Sequence, residues 1–276
     1  MAIGWNFPSS NFGTLNGIGE AGIETFKGTP YKSLAREICQ NSLDAKDGSG
    51  KPVIVEFFCS KEDPCSFHDY ATLSNAIDSC LSFWKKNNNK KTVDFFDKAQ
   101  KVAAQKTLSV LRISDFNTTG LTGSDKDYNT PWQNLVKASG VSDKGDDEGG
   151  SFGIGKSAPF ACSNLRTVFY ATEDINGLCA SQGVARLVSF PVKKGLIFQK
   201  DSDDITTGIG YYGEKLKNQS IRECRSFQKG FLRTVPGTDV YILGYMDKKG
   251  WEDEIIASVL DDFLISIFYG TLEVRV

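Results

Sequence analysis

Histidine is almost absent from this chain: of its 276 residues only His68 is a histidine. A histidine-based catalytic triad or a metal site with several histidines is therefore excluded for these residues. The seven cysteines are odd in number and form no C-x-x-C pair. This usage predicts reduced, mostly buried thiols in a cytoplasmic protein.

Long apolar runs and an excess of one charge are also missing. No apolar run reaches the roughly 18 residues needed to span a membrane, and residues 1–6 lack the pattern of a signal peptide. There are 32 basic and 34 acidic residues, so net charge does not indicate nucleic-acid binding, although a local basic patch remains open. The length suits one large domain or two small ones.

The most informative stretch is a helix predicted over residues 30–47. Its approximate apolar stripe consists of Leu34, Ile38 and Leu43. Glu37 and Asn41 are four residues apart and so share one face. The amide oxygen can bind a hard cation such as Mg²⁺, and the carboxylate one turn earlier can orient and deprotonate a water. The alternative is a solvated Glu/Asn pair on an amphipathic helix.

A second stretch is a strand predicted over residues 108–114 with one buried face. Asp115 follows it and precedes a turn-forming segment with Asn117 and Gly120. A carboxylate at a strand end can accept a hydrogen bond from an exocyclic amine such as that of adenine. The alternative is an aspartate that only caps the turn.

A third stretch is rich in glycine and ends in Lys156 and Ser157. Its glycines are Gly149, Gly150, Gly153 and Gly155. Glycines allow close approach to a ligand, and a short helix predicted over residues 158–162 would offer free N–H groups beside a lysine. This combination is typical of phosphate binding, whereas glycines alone would indicate only a flexible loop.

Residues 150–157 also fit the P-loop pattern G-x-x-x-x-G-K-[ST]. A P-loop follows a buried strand of a parallel sheet. The preceding residues 141–148 are polar and acidic and cannot form such a strand. The P-loop NTPase is therefore the weaker alternative.

Taken together and in this order, the motifs resemble the GHKL superfamily, which groups gyrase, heat-shock chaperones, histidine kinases and MutL. Its N-box E-x-x-x-N-x-x-D-A is matched by Glu37, Asn41, Asp44 and Ala45. Its other motifs are matched by Asp115 and Gly120 (adenine box), residues 135–140 (helix end before the lid), Gly149, Gly153 and Gly155 (lid), and residues 236–242 (late Gly-Thr strand). Asn117 departs from the family pattern D-x-G-x-G, although asparagine tolerates positive φ.

The resemblance implies an α/β (α+β) sandwich with the Bergerat ATP-binding fold, in which helices cover one face of a mixed, largely antiparallel sheet. It implies a slow Mg²⁺-dependent ATPase with Glu37 as general base, Asn41 as Mg²⁺ ligand, and Asp115 binding adenine with Thr238 behind it through water. Further nucleotide contacts implied by the resemblance are Asp44, Asn117, Gly120, Lys137, Ser139, Gly150, Gly153, Ile154, Gly155, Lys156 and Ser157.

The resemblance also implies a nucleotide-gated conformational switch or dimerisation clamp. A non-hydrolysing nucleotide sensor is the alternative, and a histidine-kinase activity would need a phosphoacceptor outside the chain. Likeness to the chaperone and MORC-like branches suggests antiviral defence or a DNA transaction.

The expected organisation is an N-terminal arm over residues 1–29, able to reach a partner protomer, and an ATPase domain over residues 30–276. A helical hairpin inserted at 66–106 is expected, and further strands are expected near 165–172, 178–190, 208–212 and 238–245. The C-terminal segment reads as a helix over 251–269 and a strand at 272–276. Because the chain stops inside that strand, we expect it to be part of a longer protein.

Overall fold

Eight strands form one mixed sheet in the structure, a computed structural model that describes residues 2–126, 128–138, 154–191 and 204–276. The strands are β1 (Ile3–Asn6), β2 (Val53–Glu62), β3 (Leu108–Phe116), β4 (Ser163–Glu173), β5 (Cys179–Arg186), β6 (Ile209–Glu214), β7 (Gly237–Tyr245) and β8 (Leu272–Arg275). The α-helices are α1 (Ala21–Phe26), α2 (Pro30–Asp44), α3 (Tyr70–Lys86), α4 (Lys90–Ala103), α5 (Pro131–Val136), α6 (Ala158–Ala161) and α7 (Trp251–Phe268).

The strand order is β1-β6-β5-β4-β7-β3-β2-β8. Among the described strands only β2 and β8 pair in parallel, and all other neighbours are antiparallel. The mixed, largely antiparallel sheet expected from the sequence is therefore confirmed. Strand β7 lies between β3 and β4, so the start of β7 comes to lie beside the end of β3.

Both faces of the sheet are covered, which corrects the expectation of helices on one face. The first face includes Leu111 and Ile113 of β3 and packs against buried residues of α2 and α7. The second face includes Leu108 and Val110 and packs against α3 and α4. The prediction that β3 has one buried face was wrong for the same reason: apolar side chains alternate to both sides of the strand.

Helix α2 owes its position to a buried stripe that comprises Tyr31, Leu34, Ala35 and Cys39. Pro30 occupies its first turn, where a missing N–H costs nothing. The helix ends at Asp44, three residues before the predicted end, because Lys46 then pairs with Thr118 in an isolated antiparallel bridge. This bridge ties the end of α2 to the loop that follows β3.

The two helices predicted within residues 66–106 are present as α3 and α4. The N-terminal segment does not stand away from the body, because β1 pairs with β6 at the edge of the sheet. Trp5, Phe7 and Ile18 lie in the second core, whereas Phe12 is exposed. Most apolar side chains of the expected arm are thus buried within the protomer. The pairing of two protomers stays a prediction.

None of the helices in the described parts of the chain combines the length and apolar character needed to cross a membrane.

Candidate functional site

Glu37 lies on α2 directly against the glycine-rich segment. A Cβ atom placed on Gly155 would overlap the Oε2 atom of Glu37. The two residues are therefore in close contact, and only a glycine at this position leaves room for the carboxylate. Oε1 of Glu37 forms an ion pair with Nη2 of Arg36 at 3.2 Å, and 17% of the Glu37 side chain is exposed. The carboxylate is therefore held at the surface beside Gly155 and stays open to water.

Asn41 and Asp44 continue the same helix towards the sheet. Both side chains are exposed, and Oδ1 of Asp44 accepts a hydrogen bond of 2.8 Å from Nε2 of Gln40. The exposed amide of Asn41, one turn after Glu37, matches the arrangement expected from the sequence. An amide and a carboxylate in this order offer oxygen ligands of the kind that Mg²⁺ prefers.

Asp115 is fixed by three different segments of the chain. Its Oδ1 atom accepts hydrogen bonds from the Thr118 hydroxyl and from the backbone N–H of Thr238, both at 2.7 Å. Its Oδ2 atom accepts one from the Ser42 hydroxyl at 3.1 Å. The contact with Thr238 is thus made directly by the main chain. Among the described contacts Oδ2 has this one partner, which leaves a lone pair for an outside donor.

Burial raises the pKa of the Asp115 carboxyl, although the nearby Arg233 guanidinium and the hydrogen bond from Thr238 act in the opposite direction. Arg233 itself is buried and binds both carboxylate oxygens of Asp239, at 2.9 and 2.6 Å. Its Nη2 atom also donates to the carbonyl oxygen of Thr238 at 3.0 Å. The arginine therefore fixes the start of β7, whose N–H then reaches Asp115.

The loop after β3 lies beside Asp115 and borders this part of the candidate site. Asn117 has φ of 60°, and its Nδ2 atom donates to the carbonyl oxygen of Pro52 at 2.7 Å. Asn117 thus adopts the left-handed conformation, and its tolerance of positive φ, expected from the sequence, is used here. Gly120 has φ of 63°, and a Cβ there would clash with the carbonyl oxygen of Glu173. The glycine is needed because β4 passes so close.

The end of the glycine-rich segment is a single 3₁₀ turn, Gly155–Ser157. The Nζ atom of Lys156 donates to the carbonyl oxygen of Asn134 on α5 at 2.9 Å. Ser157 is buried, and its hydroxyl accepts a hydrogen bond of 3.4 Å from Arg186. Ile154 packs against the first core.

The P-loop alternative fits this arrangement poorly. The predicted short helix is present as α6, which lasts four residues before β4 begins, and β4 has antiparallel neighbours on both sides. A P-loop lysine and serine instead start a long helix that follows a strand of a parallel sheet.

Several predicted site residues fall outside the described residues, namely Ser139, Gly149, Gly150 and Gly153. Lys137 lies one residue after α5, and its backbone N–H donates to Gln133 at 2.8 Å. The structure therefore brings together Glu37 with Gly155 near the middle of α2, and Asp115 with Thr238 near its C-terminal end.

Sequence reasoning missed Ser42, Thr118 and Arg233. Ser42 follows Leu34 and Ile38 at four-residue spacing, so a polar side chain on the apolar stripe was a visible indication. Thr118 sits among several polar residues and gave no such indication. Arg233 lies in an irregular segment, and its partner Asp239 is identified only by the fold.

A cleft of about 480 Å³ opens beside this region. It is lined by Thr122, Gly123, Thr130 and Asp174 among others, and includes neither Glu37 nor Asp115. Glu37 on α2 and Asp115 on β3 therefore both lie outside this cleft.

Comparison with known protein families and with curated proteins finds no match to this chain.

Proposed function

We propose that the chain binds ATP along α2 and hydrolyses it slowly, as a nucleotide-gated domain with the Bergerat fold of GHKL ATPases. Asp115 recognises the adenine amine, and Glu37 acts on the terminal phosphate. The glycine-rich segment and Lys156 contact the phosphates.

The observation that supports this most strongly is that one helix joins the two carboxylates. Ser42 of α2 holds Asp115, while Glu37, five residues earlier, touches Gly155. Five residues of helix rise about 7.5 Å, so the base-binding and phosphate-binding ends are separated along one rigid element. An elongated ligand with an amine at one end and a charged group at the other would have to run along α2 to reach both carboxylates.

The chemistry required of Glu37 is orientation and deprotonation of a water that attacks the terminal phosphorus. Its carboxylate is partly exposed and so can reach a water, and its contact with Gly155 places it at the end of the glycine-rich segment. Asn41 would hold a Mg²⁺ ion, which supplies neutralisation of phosphate charge. Positioning and charge neutralisation provide most of the rate in phosphoryl transfer.

Calorimetric titration of ATP in the presence of Mg²⁺ tests the nucleotide site directly. We expect Asp115→Asn to weaken binding about 10- to 100-fold, since a hydrogen bond to a charged group contributes about 1.5–3 kcal/mol. Asp47→Asn is the matched control, because Asp47 accepts its hydrogen bonds from Ser49 in the nearby turn. Near-normal affinity in Asp115→Asn would contradict the proposed adenine site.

Lys156→Ala in the same titration separates the two ATPase folds. In a P-loop protein this change alone would abolish binding, and Asp115→Asn would be nearly silent. In the proposed site both variants weaken binding, and Asp115→Asn does so for adenine nucleotides in particular. Binding without any phosphate release by the wild-type chain would instead indicate a nucleotide sensor.

A further inference from the structure

A cluster of two thiols and a carboxylate lies on the second face of the sheet. Glu173 of β4 and Cys179 of β5 are directly opposite each other in the antiparallel register, so their side chains project to the same side. Cys224 approaches from the segment that follows β6. One ligand atom of each residue lies within 4.8 Å of the other two, and all three residues are half-buried.

The backbone around Cys224 is fixed to β5 on both sides of the cysteine. Ile221 and Ser181 exchange two backbone hydrogen bonds of 2.9 Å. The Ser181 hydroxyl then donates to the carbonyl oxygen of Glu223 at 2.5 Å and accepts from the N–H of Arg225 at 2.8 Å. Because these contacts bracket Cys224, the thiol is held in place before any ligand arrives.

Arg233 is a cation that acts on this cluster, but it is engaged by Asp239 in a buried ion pair. A divalent cation placed among the three residues would interact with the Glu173 carboxylate and, once the thiols have lost their protons, with both thiolates.

We infer that Glu173, Cys179 and Cys224 form a binding site for Zn²⁺. Two sulfur ligands and one carboxylate oxygen favour Zn²⁺ over Mg²⁺ or Ca²⁺. Zn–S bonds of about 2.3 Å in a tetrahedral site place two sulfurs about 3.8 Å apart, so the side chains need only small movements. A water completes the fourth position.

Binding is a ligand exchange without oxidation. Each thiol loses its proton to solvent and forms an S–Zn bond, and the carboxylate adds an oxygen ligand. The Cys224 thiol, which donates to the carbonyl oxygen of Thr172 at 3.0 Å, gives up this hydrogen bond in the process. This inference does not depend on the proposed nucleotide site, because Glu173 projects from the other face of the sheet.

Titration of the freshly reduced protein with Co²⁺ under anaerobic conditions tests the site. We expect one equivalent to produce thiolate-to-cobalt charge-transfer absorption with the d–d bands of a tetrahedral ion, both removed by Zn²⁺. Cys179→Ser and Cys224→Ser should lose these bands, and Glu173→Gln should weaken the affinity at least tenfold, about the smallest loss seen even for outer partners of a metal. Cys65→Ser, at an exposed cysteine elsewhere, is the matched control.

A second measurement, the thermal unfolding midpoint, distinguishes loss of the metal site from failure of a variant to fold. Zn²⁺ should raise the thermal unfolding midpoint of the wild type and of Cys65→Ser, because a ligand that binds only the folded state stabilises it. It should leave the midpoint of folded Cys179→Ser unchanged. Unchanged cobalt spectra in the Cys179→Ser and Cys224→Ser variants, or a Cys179–Cys224 disulfide in place of any metal binding, would overturn the proposal.

Discussion

The candidate site has a Glu37 end, near the middle of α2, and an Asp115 end, near the C-terminus of that helix, and the two are built in different ways. At the Asp115 end the carboxylate is held by a helix side chain, a loop hydroxyl and a strand N–H, and a buried arginine fixes that strand. At the Glu37 end the described contacts are an ion pair with Arg36 and the close approach of Gly155. The proposed recognition residue thus rests on a network from several elements, and the proposed catalytic residue rests on one ion pair and one steric contact.

This difference indicates where each end is sensitive. A carboxylate with three partners keeps its orientation when one neighbour moves, because the remaining hydrogen bonds still constrain it. A carboxylate positioned by one glycine moves as soon as that glycine gains a side chain. We therefore expect substitutions at the Glu37 end to change turnover while binding is retained.

Removal of the Glu37 carboxylate should have the largest effect. Glu37→Ala should slow ATP hydrolysis at least about 100-fold, the usual contribution of a general base, and leave ATP binding intact. Phosphate release at saturating ATP measures the rate, and calorimetry measures the binding. Glu252→Ala, at an exposed glutamate in the first turn of α7, is the control. Unchanged turnover in Glu37→Ala would show that another group activates the water.

Displacement of the same carboxylate should have a smaller effect. In Gly155→Ala the new methyl group would occupy the position of the Glu37 carboxylate, so Glu37 must shift. Misplacement of a catalytic group by about 1 Å costs up to 100-fold in rate, and we expect a loss of about 10-fold with ATP affinity retained.

Gly28→Ala provides the control for Gly155→Ala, because a Cβ at Gly28 meets no atom within 4 Å. A parallel loss of ATP affinity and turnover in Gly155→Ala would mean that the Glu37 and Asp115 ends of the site are not independent.

The smallest effect is expected at the Asp115 end, in the loop that supports it. Asn117→Ala removes the hydrogen bond to Pro52 and places alanine at φ of 60°. We expect a destabilisation of about 1–2 kcal/mol, hence a thermal midpoint lower by about 2–6 °C. Asn117→Gly keeps the backbone conformation accessible and loses only the hydrogen bond, so its midpoint should fall less. An equal fall of the thermal midpoint in both variants would show that backbone strain does not contribute to the destabilisation.

Much of the secondary structure could be predicted because its patterns are local. The apolar stripe and Pro30 of α2, the polar break between α3 and α4, and the apolar run of α7 lie within single elements. Glu37 and Asn41 could be paired for the same reason, since helical spacing alone places them on one face. The closeness of Gly155 to Glu37 was not visible, because it depends on packing between distant segments.

The covering of the second face could not be read from the sequence. Residues 108–114 carry apolar and polar side chains on both sides, and each of the polar ones has a partner far away in the sequence. Arg112, for example, is buried, forms an ion pair with Glu56 and donates a hydrogen bond to Gln228. Its guanidinium also stacks 3.8 Å from the centre of the Phe231 ring. A polar residue with remote partners looks like an exposed residue in the sequence.

The position of β7 between β3 and β4 has a consequence for how the chain folds during synthesis. Strands β3 and β4 are complete once residue 173 has been made, yet neither has its central neighbour until β7 follows more than 60 residues later. Pairings this distant in sequence are slow to form, because a long loop must close first. We expect both of these strands to have one unpaired edge while the nascent chain leaves the ribosome. During this interval a chaperone, or a nucleating helix such as α2, matters most.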